Sequence, residues 1–163
     1  RILDGINNTV IIDDTYNSSP VAALAALDAL RDYATSAAQL LGRVGRRIAI
    51  LGDMKELGRY EAEAHRTLGI RAAERADVVI AVGNAGIFTA EAARTLLSPN
   101  AVLHFQTADE ARLKIQDILQ QADVILVKGS QSMRMEKIVK EIMADPDRAP
   151  ELLVRQYGKW LDS

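Results

Sequence analysis

Four polar runs contain the residues of this sequence that could bind a charged or hydroxylated ligand. They read DDTYNSSP at 13–20, GDMKELG at 52–58, GNAG at 83–86 and KGSQSMRME at 128–136. The Asp14 carboxylate accepts hydrogen bonds from hydroxyl groups, Lys128 supplies a positive charge, and Ser130 and Ser132 supply hydroxyls. Each run alone could simply cap a helix or turn the chain. A binding site is indicated only if the runs meet in space.

The elements between these runs predict that they do meet. Five apolar runs of about five residues, apolar at consecutive positions, are typical of strands buried on both faces of a parallel sheet. These predicted strands span 9–13, 47–51, 78–82, 101–105 and 124–127. Helical patterns lie at 20–38, 59–76, 85–97, 108–121 and 132–144. The alternation predicts an α/β domain with a mainly parallel sheet, helices on both faces, and all four polar runs at the carboxyl edge, where ligands bind.

Composition and charge exclude several classes of function. The formal net charge of −2 gives no basic field for nucleic acid or an anionic membrane surface. No apolar run reaches the roughly 18 residues of a membrane span, and the absence of cysteine excludes disulfides and cysteine zinc sites. A cytoplasmic location fits this composition. His65 and His104 lie within a helical and a strand pattern, so we expect both to be structural and predict no metal site.

The chain organisation predicts one domain and a tail. Residues 1–145 form the domain, because Pro146 and Pro150 end the last helical pattern. Residues 146–163 form a tail that could contain a short helix docked on the domain or on a partner. The chain opens without methionine and almost directly on a strand, so we expect it to be cut from a longer polypeptide.

The runs resemble the motifs of the Mur ligase family. Residues 13–20 resemble its D-D-x-Y-N-A-N-P motif, with Ser18 and Ser19 in place of Ala and Asn. Residues 51–58 match L-G-D-M-x-E-L-G, His65 and Gly69 match H-x-x-x-G, and residues 127–136 match V-K-G-S-x-S-M-x-M-E. The match extends over about residues 1–144. Within the family, the motifs are most similar to the branch that adds D-alanyl-D-alanine to UDP-MurNAc-tripeptide.

This resemblance implies a Rossmann-like three-layer C-terminal domain of a peptidoglycan precursor ligase that uses ATP and Mg²⁺. The N-terminal and central ATPase domains of such a ligase carry the precursor site, the phosphate site and the metal ligands. The present chain has neither a G-x-x-x-x-G-K-[ST] nor a G-x-G-x-x-G motif. We therefore expect no catalytic residue in it, no cofactor bound by it alone, and no activity of the isolated chain.

The resemblance also implies roles for individual residues. Asp14, Tyr16 and Asn17 are expected to bind ATP, with the Asp14 carboxylate on the ribose. The expected dipeptide site comprises Asn17, Ser18, Lys128, Gly129, Ser130 and Ser132. Ser130 and Ser132 would lie at the N-terminus of the predicted helix 132–144, whose free N–H groups favour a carboxylate.

Two alternatives remain open at the level of sequence. The chain could be the same domain of another Mur-family ligase that adds a single amino acid, or a free-standing nucleotide-binding module without catalysis. A Walker A motif roughly 200 residues upstream would favour a ligase over the module.

Overall fold

Six strands form a single sheet in the computed structural model, which describes residues 1–161 and Ser163. The strands are β1 (Ile2–Asp4), β2 (Val10–Asp14), β3 (Arg47–Gly52), β4 (Val78–Val82), β5 (Val102–Phe105) and β6 (Val124–Lys128). They lie in the order β1-β2-β6-β3-β4-β5, with β1 antiparallel and the other five parallel. The five predicted strands are confirmed. The edge strand β1 was missed because three residues carry too little periodicity to be recognised.

Six α-helices surround the sheet in the part of the chain that the structure describes. They are α1 (Pro20–Leu41), α2 (Glu61–Arg75), α3 (Gly86–Ala93), α4 (Ala108–Ile118), α5 (Glu136–Ile142) and α6 (Ala149–Leu152). The first three pack on one face, and α4, α5 and α6 pack on the other. This confirms the predicted three-layer, Rossmann-like α/β fold. Within the described ranges, no helix is both long and apolar enough to span a membrane.

The sheet is buried because its central strands are apolar on both sides. In β3, Ile48 and Ile50 point to the α4 and α5 face, while Ala49 and Leu51 point to the α1 to α3 face. All four side chains are buried. Burying each large aliphatic side chain stabilises the fold by about 1.5–3 kcal/mol, so the two apolar layers fix the sheet and hence its carboxyl edge.

The helix that follows the first polar run begins as the sequence predicts. Ser19 is its N-cap, and its hydroxyl accepts a hydrogen bond from the Ala22 amide at 3.3 Å. Pro20 occupies the first helical position, where a missing N–H costs nothing. The helix ends at Leu41, and its C-cap Gly42 has a φ of 63°, a left-handed conformation that glycine adopts readily. The sequence therefore fixes the direction in which the first polar run leaves the sheet.

The last predicted helix begins later than expected. Residues 132–144 were predicted to be helical, but α5 starts only at Glu136, and Gln131–Met133 form a 3-10 turn. Arg134 interrupts the helix because its φ of 55° is left-handed, which an α-helix does not allow. Ser132 thus lies on an exposed turn. The prediction that Ser130 and Ser132 sit at the N-terminus of this helix is wrong.

The tail folds back onto the domain. It contains a 3-10 turn at Pro146–Arg148, then α6, then a second 3-10 turn at Gly158–Trp160. Ala149 and Leu153 are buried in the apolar cluster beneath α5. Asp162 lies outside the described residues. A short helix in the tail is therefore observed, whereas a domain boundary at residue 145 stays a prediction.

Candidate functional site

The polar runs meet at one edge of the sheet, as the sequence predicts. Asp14, the last residue of β2, lies opposite Lys128, the last residue of β6. Lys128 also lies opposite Leu51 in β3, and Gly52 lies opposite Val82 in β4. Because these four strands are parallel and in register, the loops that follow them open side by side.

The adjacent acids at the end of β2, which open the first polar run, have different surroundings. One Asp13 oxygen accepts hydrogen bonds from the Thr15 amide at 3.2 Å and the Thr15 hydroxyl at 2.8 Å. Burial raises the pKa of Asp13, although these hydrogen bonds oppose the shift. The Asp14 side chain is 44% exposed. Asp13 therefore shapes the loop, and Asp14 offers its carboxylate to the solvent.

Lys128 is buried beneath this loop. Its side chain is only 3% exposed, and its ammonium donates to Asp14 Oδ2 at 2.7 Å and to the Asn17 carbonyl at 2.8 Å. The charge thus holds both ends of the Asp14–Asn17 segment, and it is a positioning group in this arrangement. A direct contact between Lys128 and a ligand carboxylate stays a prediction.

Ser130 joins three of the loops. Its buried hydroxyl accepts a hydrogen bond from the Lys55 amide at 3.0 Å and donates to the Ser18 carbonyl at 3.5 Å. Its amide donates to the Asp53 carbonyl at 3.2 Å. The neighbouring Gly129 is also required, because a Cβ there would lie 2.6 Å from Met135 Cγ.

Asp53 ties the β3 loop to the β4 loop. Its buried carboxylate accepts hydrogen bonds from the Ala85 amide and from Lys55 Nζ, both at 3.2 Å. Gly83 lies against this carboxylate with a φ of 117°, and a Cβ there would lie 2.4 Å from it. Gly83, the first glycine of the GNAG run, is therefore needed for close packing against Asp53. The sequence did not predict this contact.

Both histidines hydrogen-bond to the backbone. The buried His65 accepts a hydrogen bond from the Met54 amide at Nε2, at 3.0 Å. Its Nδ1 must then carry the proton that is donated to the Glu61 carbonyl at 2.7 Å. His104 Nε2 lies 2.7 Å from the Gly83 carbonyl. Across residues 1–161 and 163, no group of three or more His, Cys, Asp or Glu residues is placed to hold a metal ion.

A groove of about 430 Å³ lies between the loops. Its lining comprises Asn17, Ser18, Ser19, Lys55, Glu56, Leu57, Ser130, Gln131 and Ser132. Four of the predicted site residues line it: Asn17, Ser18, Ser130 and Ser132. Asp14 and Tyr16 belong to the first polar run but do not line the groove, and Lys128 and Gly129 lie at the end of β6 and directly after it. The contributions of Lys55, Glu56 and Gln131 were missed. Their position inside polar runs was the only signal for them.

The fold and this edge define a class of protein. A doubly covered parallel sheet whose polar loops enclose a groove at the carboxyl ends of the strands is a ligand-binding α/β domain of Rossmann-like type. A family model described as "Mur ligase, glutamate ligase domain" matches residues 1–131. The chain belongs to the Mur ligase family.

Individual relatives point to one branch of that family. The chain is similar to the UDP-N-acetylmuramoyl-tripeptide–D-alanyl-D-alanine ligase of Bacillus subtilis, with 31% identity over 83% of this chain and 28% of that protein. The Escherichia coli enzyme of that name is 32% identical over 83% of this chain and 27% of its own length. A crystal structure of MurF from Acinetobacter baumannii has a TM-score of 0.67 and 30% identity, covering 88% of this chain and 30% of that one. The chain thus spans just over a quarter of these relatives.

Proposed function

We propose that this chain is the C-terminal domain of an ATP-dependent, cytoplasmic ligase that joins D-alanyl-D-alanine to UDP-MurNAc-tripeptide. Residues 1–145 form the domain proper, and 146–163 its tail. The observation that carries the proposal is the convergence of Asn17, Ser18, Ser130 and Ser132 on one groove beside an accessible Asp14. The similarity to D-alanyl-D-alanine ligases over most of the chain supports this substrate.

The nucleoside end of ATP is assigned to the first loop. A half-exposed carboxylate such as Asp14 suits the two neighbouring hydroxyls of a ribose, because it accepts a hydrogen bond from each. Tyr16 and Asn17 are exposed next to it and complete the proposed ATP contacts. The described residues offer no metal cluster, so Mg²⁺ and the phosphates are assigned to the central ATPase domain of the longer polypeptide.

The dipeptide is assigned to the groove. The buried Ser18 and Ser130 line it, Gly129 directly precedes Ser130, and the exposed Ser132 also lines it. Hydroxyl and amide groups bind a small zwitterion by hydrogen bonds. Since Ser132 is not at a helix N-terminus, this binding does not draw on a helix dipole. Lys128 supports the same site through its hold on Asp14 and Asn17.

The test separates the two halves of the site in the ligase polypeptide that carries this chain. In steady-state kinetics, Asp14→Ala should raise KM for ATP about ten- to hundredfold, the loss expected for a charge-assisted hydrogen bond. Ser132→Ala should instead raise KM for D-alanyl-D-alanine. Asp32→Ala, which removes an exposed acid from α1, is the matched control and should change neither.

The outcomes distinguish the alternatives. If Asp14→Ala and Ser132→Ala affect both substrates equally, the assignment of the two ends is wrong. If a single amino acid replaces D-alanyl-D-alanine as the better substrate, the chain belongs to another branch of the family. If the polypeptide binds ATP but forms no peptide bond with any amine, the ligase function is excluded and the non-catalytic module is supported.

A further inference from the structure

An arginine from the tail contacts the proposed ATP loop from behind. Arg155 is buried at 4% exposure, although arginine is almost never buried without partners. Its Nη2 donates to the Thr15 carbonyl at 2.6 Å and to Glu136 Oε2 at 2.8 Å. One guanidinium nitrogen therefore connects three segments that are distant in sequence: the first polar loop, the start of α5 and the tail.

The surroundings of Arg155 fix it in place. Glu136 is fully buried, and its second oxygen accepts a hydrogen bond from Arg134 Nε at 2.6 Å. Arg134 Nη2 donates to the Trp160 carbonyl at 2.6 Å, and both guanidinium groups lie within 6.0 Å of the Trp160 ring centre. The tail thus reaches the loop through a buried ion-pair cluster, in which Arg155 Nη2 makes both contacts, while Nε and Nη1 are buried without a hydrogen-bond partner among the described residues.

Thr15 is held on each of its polar groups. Its amide and hydroxyl donate to Asp13, and its carbonyl accepts from Arg155. Asp14 and Tyr16 flank it directly. Because the backbone of Thr15 connects the two, the contact from Arg155 influences the direction in which both side chains leave the loop.

We propose that the tail is a strap that positions the Asp14–Asn17 loop for nucleotide binding, with Arg155 as the positioning residue. The inference rests on the assignment of ATP to this loop. Arg155 touches no ligand in this scheme, and acts only through the Thr15 carbonyl. The strap lies outside residues 1–131 that the family model matches, so it is a feature of this chain beyond the matched region.

The strap itself is tested on the chain without any assumption about function. Amide hydrogen exchange of Thr15 and Ser18, measured by NMR, should accelerate about tenfold in Arg155→Ala, as expected from losing a charge-assisted hydrogen bond. In Arg155→Lys, the exchange rates of Thr15 and Ser18 should lie between those of the wild type and of Arg155→Ala, since an ammonium keeps the charge but lacks the planar guanidinium. Arg148→Ala is the control, because it removes a tail arginine whose only side-chain partner among the described residues is the exposed Glu151.

Exchange at Ile50, in the centre of the sheet, reports whether the core survives. Unchanged Thr15 and Ser18 exchange in Arg155→Ala overturns the strap. If Arg155→Ala also accelerates amide exchange at Ile50, the domain has opened as a whole, and Arg155→Lys then serves as the test variant. Faster exchange at Thr15 and Ser18 in Arg155→Lys, with Ile50 still protected, supports the strap. Exchange at Thr15 and Ser18 equal to that of the wild type overturns it.

The positioning role is tested in the longer ligase polypeptide. Arg155→Ala should raise KM for ATP about tenfold, with less than a twofold change in kcat and in KM for D-alanyl-D-alanine, and Arg155→Lys should restore part of the loss. A purely structural contact would lower active enzyme and kcat without this split. If Asp14→Ala raises KM for ATP and Arg155→Ala does not, the strap inference fails. If neither does, the assignment of ATP to the loop fails, and with it the positioning role.

Discussion

Burial acts on the carboxyl groups of both Glu136 and Asp13, but their pKa values shift in opposite directions. Burial acts to raise the pKa of Glu136, but the hydrogen bonds from Arg155 and Arg134 outweigh it, so the pKa lies below its usual value. Among the described residues, the Asp13 carboxylate accepts hydrogen bonds only from Thr15, and burial raises its pKa. The difference is the guanidinium groups, which compensate the buried charge of Glu136.

These shifts predict the acid sensitivity of folding. A lowered folded pKa means that the stabilisation from Glu136 is complete above about pH 4.3, the usual value for glutamate, and is lost as pH falls below it. Glu136→Gln should therefore reduce stability at pH 7 by at least about 1.5 kcal/mol and flatten the loss of stability in acid. Urea unfolding between pH 7 and 3 measures both effects.

As a control, Asp13→Asn should change the pH dependence of stability in the opposite direction. The raised pKa of Asp13 gives a stabilisation that grows as pH falls, so removing the acid should steepen the acid loss rather than flatten it. Parallel pH profiles for wild type and Glu136→Gln would contradict the role of the arginine cluster.

The site residues differ in how well their positions could be predicted from the sequence. Asp14 and Ser130 stand in recognisable motifs, and their place at the carboxyl edge follows from the parallel sheet. The pairing of Lys128 with Asp14 joins residues 114 positions apart and depends on the exact strand register. Arg155 gives no signal at all, because only the fold of the tail brings it under Thr15.

At the scale of elements, the start of α1 sets the path of the first loop. Ser19 caps this helix where the family motif has Asn, and both side chains can accept the hydrogen bond. Ser19→Ala should lower the free energy of unfolding by about 0.5–2 kcal/mol, whereas Ser19→Asn should be nearly neutral. Thermal or urea denaturation of each variant measures the change.

Ser36 offers a control within the same helix. It lies exposed in the body of α1, where alanine is the better helix former, so Ser36→Ala should be neutral or slightly stabilising. Equal destabilisation by Ser19→Ala and Ser36→Ala would show that the cap contributes nothing specific.

The elements also show why one prediction failed. Helical spacing of apolar residues runs through 132–144, so periodicity alone favours a single helix there. The left-handed Arg134 breaks it, and that arginine contacts Glu136 and, in the tail, Trp160 and Ser163. The helix thus breaks where Arg134 contacts the tail, and the spacing of apolar residues gives no sign of this break.

At the scale of the whole molecule, the chain holds one side of a proposed active site. Phosphoryl transfer depends on a phosphate cradle and bound metal, and the described residues include no metal cluster. The isolated chain should therefore release no phosphate above buffer when given ATP, Mg²⁺, UDP-MurNAc-tripeptide and D-alanyl-D-alanine. Phosphate release that follows the chain through purification, and that Asp14→Ala abolishes, would refute this; release that Asp14→Ala leaves unchanged would mark a contaminant.

The position of β6 has a consequence for how the chain reaches its fold. β6 is the last strand in sequence, yet it lies between β2 and β3. Until residue 128 has been synthesised, β2 and β3 each present a row of unpaired backbone groups, which are templates for pairing with other chains. Closing the gap joins Val10 to Val124, a long and slow loop closure. A ribosome-bound chain that stalls before β6 would therefore carry two open strand edges, which expose it to aggregation.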